Sequence, residues 1–170
     1  NLNRIIIGTT GRIAYQKNPA LFNEIAKHFE NRPSVKFIWI GDGELRSKLT
    51  SSNIEITGWT QRENVLNYVS EIDIYLSTAL WEGLPFAVIE AMNLNKPLLL
   101  TNCVGNKDLV VNNGYLYQTA QEAIDRLNGM MSNPILLSEL SMNSHELAKQ
   151  YFDVSDMANK YEKIYNELRS

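Results

Sequence analysis

Two carboxylates and two cations are the residues of this chain best spaced for joint chemistry. Glu82 and Glu90 stand with seven residues between them in the segment Leu80-Trp81-Glu82-Gly83-Leu84-Pro85-Phe86-Ala87-Val88-Ile89-Glu90-Ala91-Met92. Pro85 suits the first position of a helix, and Gly83 lets backbone approach a ligand closely. Leu84, Val88, Ala91 and Met92 would then form the core stripe, leaving Glu90 as the sole charge between Gly83 and Asn95. A carboxylate so embedded needs hydroxyls or cations to satisfy it. The start of such a helix, with free N–H groups and the positive end of its dipole, suits a diphosphate. A ribose lying along the same helix would present its hydroxyls to Glu90. The structural alternative is a Glu at a buried edge, capping a neighbouring loop.

The cations follow an earlier run, Gly8-Thr9-Thr10-Gly11-Arg12, with Lys17 five residues on. Arg offers phosphate a fork of donors and Lys a point charge. A solvated basic loop is the plainer reading of this segment taken alone. Other chemistries fail on spacing. Gly8-x-x-Gly11 and Gly41-Asp42-Gly43, with Arg46 where a third glycine belongs, do not complete a dinucleotide fingerprint. There is no phosphate-binding G-x-x-x-x-G-K-[ST] loop and no H-E-x-x-H metal motif, and His28 and His145 fall on predicted outer helices. Cys103 follows a strand with no His near it in sequence, so packing is its expected role.

The elements that must position these groups alternate along the chain. Strands are predicted at 4–8, 35–40, 54–57, 72–76, 97–101 and 114–117. Helices are predicted from Pro19 to about Glu30, Glu44 to Ser51, Arg62 to Ser70, Pro85 to Asn93 and, briefly, Leu109 to Val111. Beyond Tyr117 the chain reads as helical, with breaks near Asn133-Pro134 and Phe152-Asp153. The second, fourth and fifth strands are apolar nearly throughout, as strands covered on both faces are. Regular alternation then argues for an α/β fold: a doubly wound, Rossmann-like parallel sheet in three layers. Its working loops lie at the C-terminal ends of the strands. Residues 1–150 are expected to form this domain. Residues 151–170 form an amphipathic helix with a stripe of Val154, Met157, Ala158, Tyr161, Ile164, Tyr165 and Leu168, capped by Asp153 or Ser155.

Taken together, these residues resemble the C-terminal, donor-binding half of a GT-B fold retaining glycosyltransferase of the group 1 family. Glu82 and Glu90 match its Glu-seven residues-Glu signature, within a local E-G-x-P…E-A-M context. Gly11-Arg12-x-x-x-x-Lys17 is similar to its diphosphate-binding element, and Gly41-Asp42-Gly43 and Gly58-Trp59 to two loops around the nucleotide base. The resemblance implies a metal-independent sugar transfer from a nucleoside-diphosphate sugar, a UDP- or GDP-sugar first, to a glycan or lipid-linked acceptor in polysaccharide biosynthesis. Arg12, Lys17 and Glu82 would be the catalytic groups. Gly11, Arg12, Lys17, Gly43, Gly58, Glu82, Gly83, Leu84, Pro85, Phe86 and Glu90 would hold the donor, Glu90 through the ribose hydroxyls. No cofactor and no metal is implied. Ala79, where many relatives carry Ser, and Asp108, in place of a family Glu, depart from the pattern. The resemblance also implies that an acceptor-binding N-terminal half, through which any membrane contact would pass, is absent from these residues, so that the chain alone would be inactive.

Composition agrees with a folded domain and narrows its partners. A chain of 170 residues that is 44% hydrophobic and 21% charged can bury a core of its own. Surface scaling leaves about 8,500 Å² exposed of about 28,000 Å². Lys+Arg 16 against Asp+Glu 19 gives a net charge of −3, which offers no general attraction for nucleic acid. One cysteine excludes an internal disulfide. No apolar run reaches the ~20 residues that span a bilayer. A lone cysteine and no visible export signal lead to the expectation of a cytoplasmic setting, or one at the inner face of the membrane. Two other readings remain: a GT-B nucleotide-sugar epimerase or phosphorylase, and a non-catalytic nucleotide-sugar-binding or receiver-like module.

Overall fold

The computed structural model describes residues 4–167, apart from the side chains of 154 and 156. Six strands form one sheet: β1 (Ile5–Thr10), β2 (Val35–Ile40), β3 (Ile54–Ile56), β4 (Ile74–Ser77), β5 (Leu98–Thr101) and β6 (Gly114–Tyr117). The helices are α1 (Pro19–His28), α2 (Arg62–Glu71), α3 (Phe86–Asn93), α4 (Ala120–Ser132), α5 (Pro134–Tyr151) and α6 (Val154–Glu167). Every strand pairing is parallel, in the order β3-β2-β1-β4-β5-β6. The chain therefore winds outward from β1 in one direction and from β4 in the other. The crevice where such a sheet takes ligands lies between those two strands, at their C-terminal ends.

Alternation along each strand splits the core into two layers. Ile7, Phe37, Trp39, Ile74, Leu76 and Leu99 pack against Phe22, Ile25 and Ala26 of α1 and Ala123, Ile124, Leu127 and Met130 of α4. Ile38, Ile40, Tyr75, Leu98 and Leu100 face the other way, against Val69 of α2, Val88, Ile89, Ala91 and Met92 of α3 and Ala148 of α5. Asn18, Thr119 and Asn133 cap α1, α4 and α5 through their side chains, and Pro19 and Pro134 occupy first turns as the sequence suggests.

Several expected boundaries move, each for a local reason. β1 runs past Gly8 to Thr10 because Thr9 and Thr10 keep pairing with Trp39 and Ile40. Gly8 is thus an interior strand residue that makes room for Ile72, whose Cδ1 lies 2.3 Å from where a Cβ would stand. The expected 44–51 helix shrinks to a 3-10 turn, Arg46–Lys48, because Leu45 N–H is drawn to the Ile13 carbonyl of the neighbouring loop. The brief helix expected at Leu109 to Val111 is likewise a 3-10 turn, Lys107–Leu109. β4 begins two residues later than expected, since Ile72 closes α2 and the Asp73 side chain, in place of a strand carbonyl, accepts from Ile6 N–H. Pro85 is the cap of α3 and not its first helical residue: its ψ of 86° is not helical, while its carbonyl accepts from Val88 and Ile89.

The exposed surface is 9844 Å², above the scaling value. Much of α6 is open: Met157, Tyr161, Ile164 and Tyr165 are each more than half exposed. Leu168 of the expected stripe lies outside the described residues. Among the described residues no helix is long and apolar enough to cross a membrane.

Candidate functional site

The loops after β1, β2, β4 and β5 meet at the C-terminal end of the sheet and are laced together by backbone. Gly11 N–H bonds the Ile40 carbonyl, Ile13 N–H that of Asp42 and Leu45 N–H that of Ile13. On the other side Leu80 N–H bonds the Gln16 carbonyl, and Glu82 N–H that of Val104. Glycines make these approaches possible. A Cβ on Gly43 would lie 2.4 Å from Ile13 O, and one on Gly105 (φ 87°) 2.6 Å from Gly83 O. Gly11 turns the chain out of β1 with φ 129°, and its carbonyl accepts from Trp39 Nε1 at 2.9 Å. Gly58 (φ 75°) ends the β3 strand region, where Thr57 Oγ1 accepts from Gly41 N–H at 3.0 Å.

Lys17 and Glu82 come together at the mouth of this crevice. Lys17 Nζ lies 2.6 Å from Glu82 Oε1, with the two side chains only 21% and 9% exposed. Gln16 Nε2 donates to Trp81 O at 2.8 Å and reaches Glu82 Oε2 at 3.3 Å. The Thr78 hydroxyl donates to the Lys17 carbonyl, a further tie, beside the Leu80–Gln16 backbone bond, between the segments carrying the cation and the acid. Behind them lies a buried polar cluster. Asn106 donates to Thr101 and Ser77, Thr101 Oγ1 donates to Ala79 O, and Tyr117 Oη donates to Ser77 O. Complete burial pushes the Tyr117 phenol well above its ordinary value, keeping it a neutral donor.

The other expected charges are also matched. Glu90 lies on α3 with its side chain 27% exposed, and Arg62 of α2 sits 2.5 Å from its Oε1. Arg12 points outward to Glu44 at 2.9 Å, both well exposed. Glu44's carboxyl is held below the usual range, first by its own backbone N–H and then by Arg12. The structure therefore brings Lys17 to Glu82 but does not bring Arg12 to either acid among the described contacts. Asp42 bonds its neighbour Gly43 N–H and the Arg46 guanidinium.

The backbone of 83–86 is less open than its sequence suggests. Phe86 N–H turns to the Leu84 carbonyl at 3.0 Å, and Pro85 is buried. Gly83 has open space around it, so its freedom serves no contact within the protein. Leu84, expected in the core stripe, is 51% exposed, and Ile89 takes its place inside. Leu84, Phe86, Trp81, Tyr15 and Val104 are exposed apolar side chains on the loops that carry Lys17 and Glu82 and on those beside them, and the Tyr15 and Trp81 rings stand 6.1 Å apart. Gln16, Glu44 and Arg62 escape sequence reasoning, because their partners lie 66, 32 and 28 residues away. No local pattern marks them.

Comparison with known proteins gives this arrangement a family. The chain is 29% identical to the Escherichia coli UDP-Gal:alpha-D-GlcNAc-diphosphoundecaprenol alpha-1,3-galactosyltransferase, over 98% of its own length and 46% of that enzyme's. It spans less than half the length of the curated relatives it matches. Its fold superimposes on Anabaena HepE, solved in complex with UDP, with a TM-score of 0.87 at 20% identity, covering 97% of this chain and 49% of that one. It also superimposes on the separately solved C-terminal domain of the Francisella tularensis group 1 glycosyl transferase LpcC, with a TM-score of 0.77 at 20% identity, covering 88% of this chain and 87% of that one. The expected half of a GT-B fold is thus present. Residues 4–133 match the family of glycosyl transferases group 1, and the chain belongs to that family.

Proposed function

We propose that this chain is the donor-binding half of a retaining, metal-independent glycosyltransferase that uses a nucleoside-diphosphate sugar, with UDP-sugars the first class to test. The observation that carries the reading is the pairing of Lys17 with Glu82 at the β1/β4 switch point, with Glu90 farther along the helix that begins beside them. Lys17, joined by Arg12 once that side chain leaves Glu44, supplies positive charge to a departing diphosphate. Cations placed where charge develops are the main way a protein lowers such a barrier without a metal. Glu82 meets the transferred sugar. Glu90 accepts a ribose hydroxyl on Oε2 while Arg62 keeps Oε1. Gly43 and Gly58 border the base pocket, and Gly83, Leu84 and Phe86 border the sugar. Relatives named for transfer to a lipid-linked diphosphate sugar, or for teichuronic acid and amylovoran biosynthesis, support a glycan or lipid-linked acceptor and a role in polysaccharide synthesis. The acceptor would be held by a further domain.

Calorimetric titration with UDP, GDP and ADP tests the reading. Binding of at least one, with UDP tightest, is expected; folded protein giving no heat with any of the three overturns it. Glu90→Gln is expected to weaken UDP by about tenfold, the worth of one hydrogen bond to a charged group. Orthophosphate, which has no ribose, should bind as before. Equal losses for UDP and orthophosphate would remove Glu90 from the ribose.

A further inference from the structure

The cation best placed to receive a diphosphate is already occupied. Lys17 Nζ makes a 2.6 Å contact with Glu82, and that carboxylate is 9% exposed, so water does little to loosen the pair. A phosphate brought to the same ammonium meets Glu82 as a neighbour of like charge. The two anions therefore compete for one cation. Lys17 has the means to change partners, since its four-carbon stem is flexible and its ammonium carries three donors. Its stem already lies over Gly11, with Cε 3.3 Å from where a Cβ would stand, so Gly11 adds no side chain of its own to the path of the swing. Glu82 has less freedom. Its backbone N–H is tied to Val104 O, and its second oxygen faces Gln16 Nε2, which is itself anchored on Trp81 O.

We infer that Glu82 is the resident counter-anion of Lys17 and that nucleoside-diphosphate binding is an exchange, in which the diphosphate draws Lys17 from Glu82 while Gln16 holds the released carboxylate in place. The inference rests on the donor-binding reading and adds a residue to it. Gln16 is a positioning residue: it touches the acid and not the phosphate, and it keeps Glu82 aimed at the sugar after its cation has turned away. Glu82 on this account lowers the affinity for the diphosphate, although it belongs to the site.

The test is calorimetric titration of UDP into a four-member cycle: the unaltered chain, Glu82→Gln, Gln16→Met and the double variant. Removing the competing charge while keeping the shape should make Glu82→Gln bind UDP about three- to tenfold tighter. Gln16→Met should weaken UDP about threefold, because an unsupported Glu82 holds Lys17 harder, and should have no effect once Glu82 is Gln. A Gln16 that only supports the loop would lower affinity equally in both backgrounds. Glu82→Gln binding UDP no tighter than the unaltered chain overturns the exchange, while UDP binding by the unaltered chain keeps the donor-binding reading. No binding of UDP, GDP or ADP by the unaltered chain overturns both. If Glu82→Gln does not give a cooperative thermal melt, Glu82→Ser tests the same sign.

Discussion

Replacing Lys17 with methionine should weaken UDP binding by about 10- to 100-fold and destabilise the fold as well. The first effect is the loss of a charge-assisted contact to phosphate, worth about 1.5–3 kcal/mol. The second comes from Glu82, left 9% exposed without its cation. Orphaning one member of a buried pair costs about 3–5 kcal/mol. The partial exposure of Lys17 reduces that to about 2 kcal/mol, or roughly 4–8 °C in melting temperature for a domain of this size. Thermal melts and UDP titration separate the two effects. Adding Glu82→Gln to Lys17→Met should restore most of the melting temperature and little of the binding. A double variant as unstable as Lys17→Met would show that the pair is not what holds these loops together.

The largest expected effect on stability is at Gly41. Its φ is +141°, and a Cβ would stand 2.2 Å from the Gly11 carbonyl oxygen, which is backbone and already accepts from Trp39. Gly41→Ala therefore combines a strained backbone with overpacking against atoms that cannot rotate away. Each contributes about 1–3 kcal/mol. A loss of about 4 kcal/mol, or roughly 8–16 °C in melting temperature, is expected. Gly83 is the contrasting case, because nothing lies within 4 Å of its Cβ position. Gly83→Ala should change stability by less than about 0.5 kcal/mol. If the two variants melted alike, the close approach of the β1 and β2 loops would be wrong.

Much of the architecture was legible because it rests on local periodicity. Apolar runs such as Phe37-Ile38-Trp39-Ile40 and Leu98-Leu99-Leu100 serve two cores at once, and that doubling is visible in one dimension. The seven-residue interval from Glu82 to Glu90 is legible for the same reason: a loop residue and a residue on the following helix are joined by one short segment. What each charge meets is set by the fold. Arg62 reaches Glu90 from another helix, and Gln16 reaches Glu82 from the loop after β1. The strand expected at 4–8 stops at Gly8 because a glycine that ends a strand and one that clears space inside it look identical in sequence until Ile72 is in place. The shortened 44–51 segment shows the same limit, since its backbone is spent on Ile13, Gly43 and the Asn23 side chain.

The lacing of the loops around the crevice bears on how a ligand would be met. Loops at a sheet end are ordinarily a store of conformational entropy, and fixing them on association subtracts from affinity. Here the backbone bonds Gly11–Ile40, Ile13–Asp42, Leu45–Ile13, Leu80–Gln16 and Glu82–Val104 stitch four such loops into one rim. That entropy is lost when the domain folds, so an arriving molecule finds the backbone of the rim already set and only side chains such as Lys17 and Arg12 left to move. A substitution that forces two stitched backbones apart, as Gly41→Ala would at Gly11, should therefore be felt beyond its own loop.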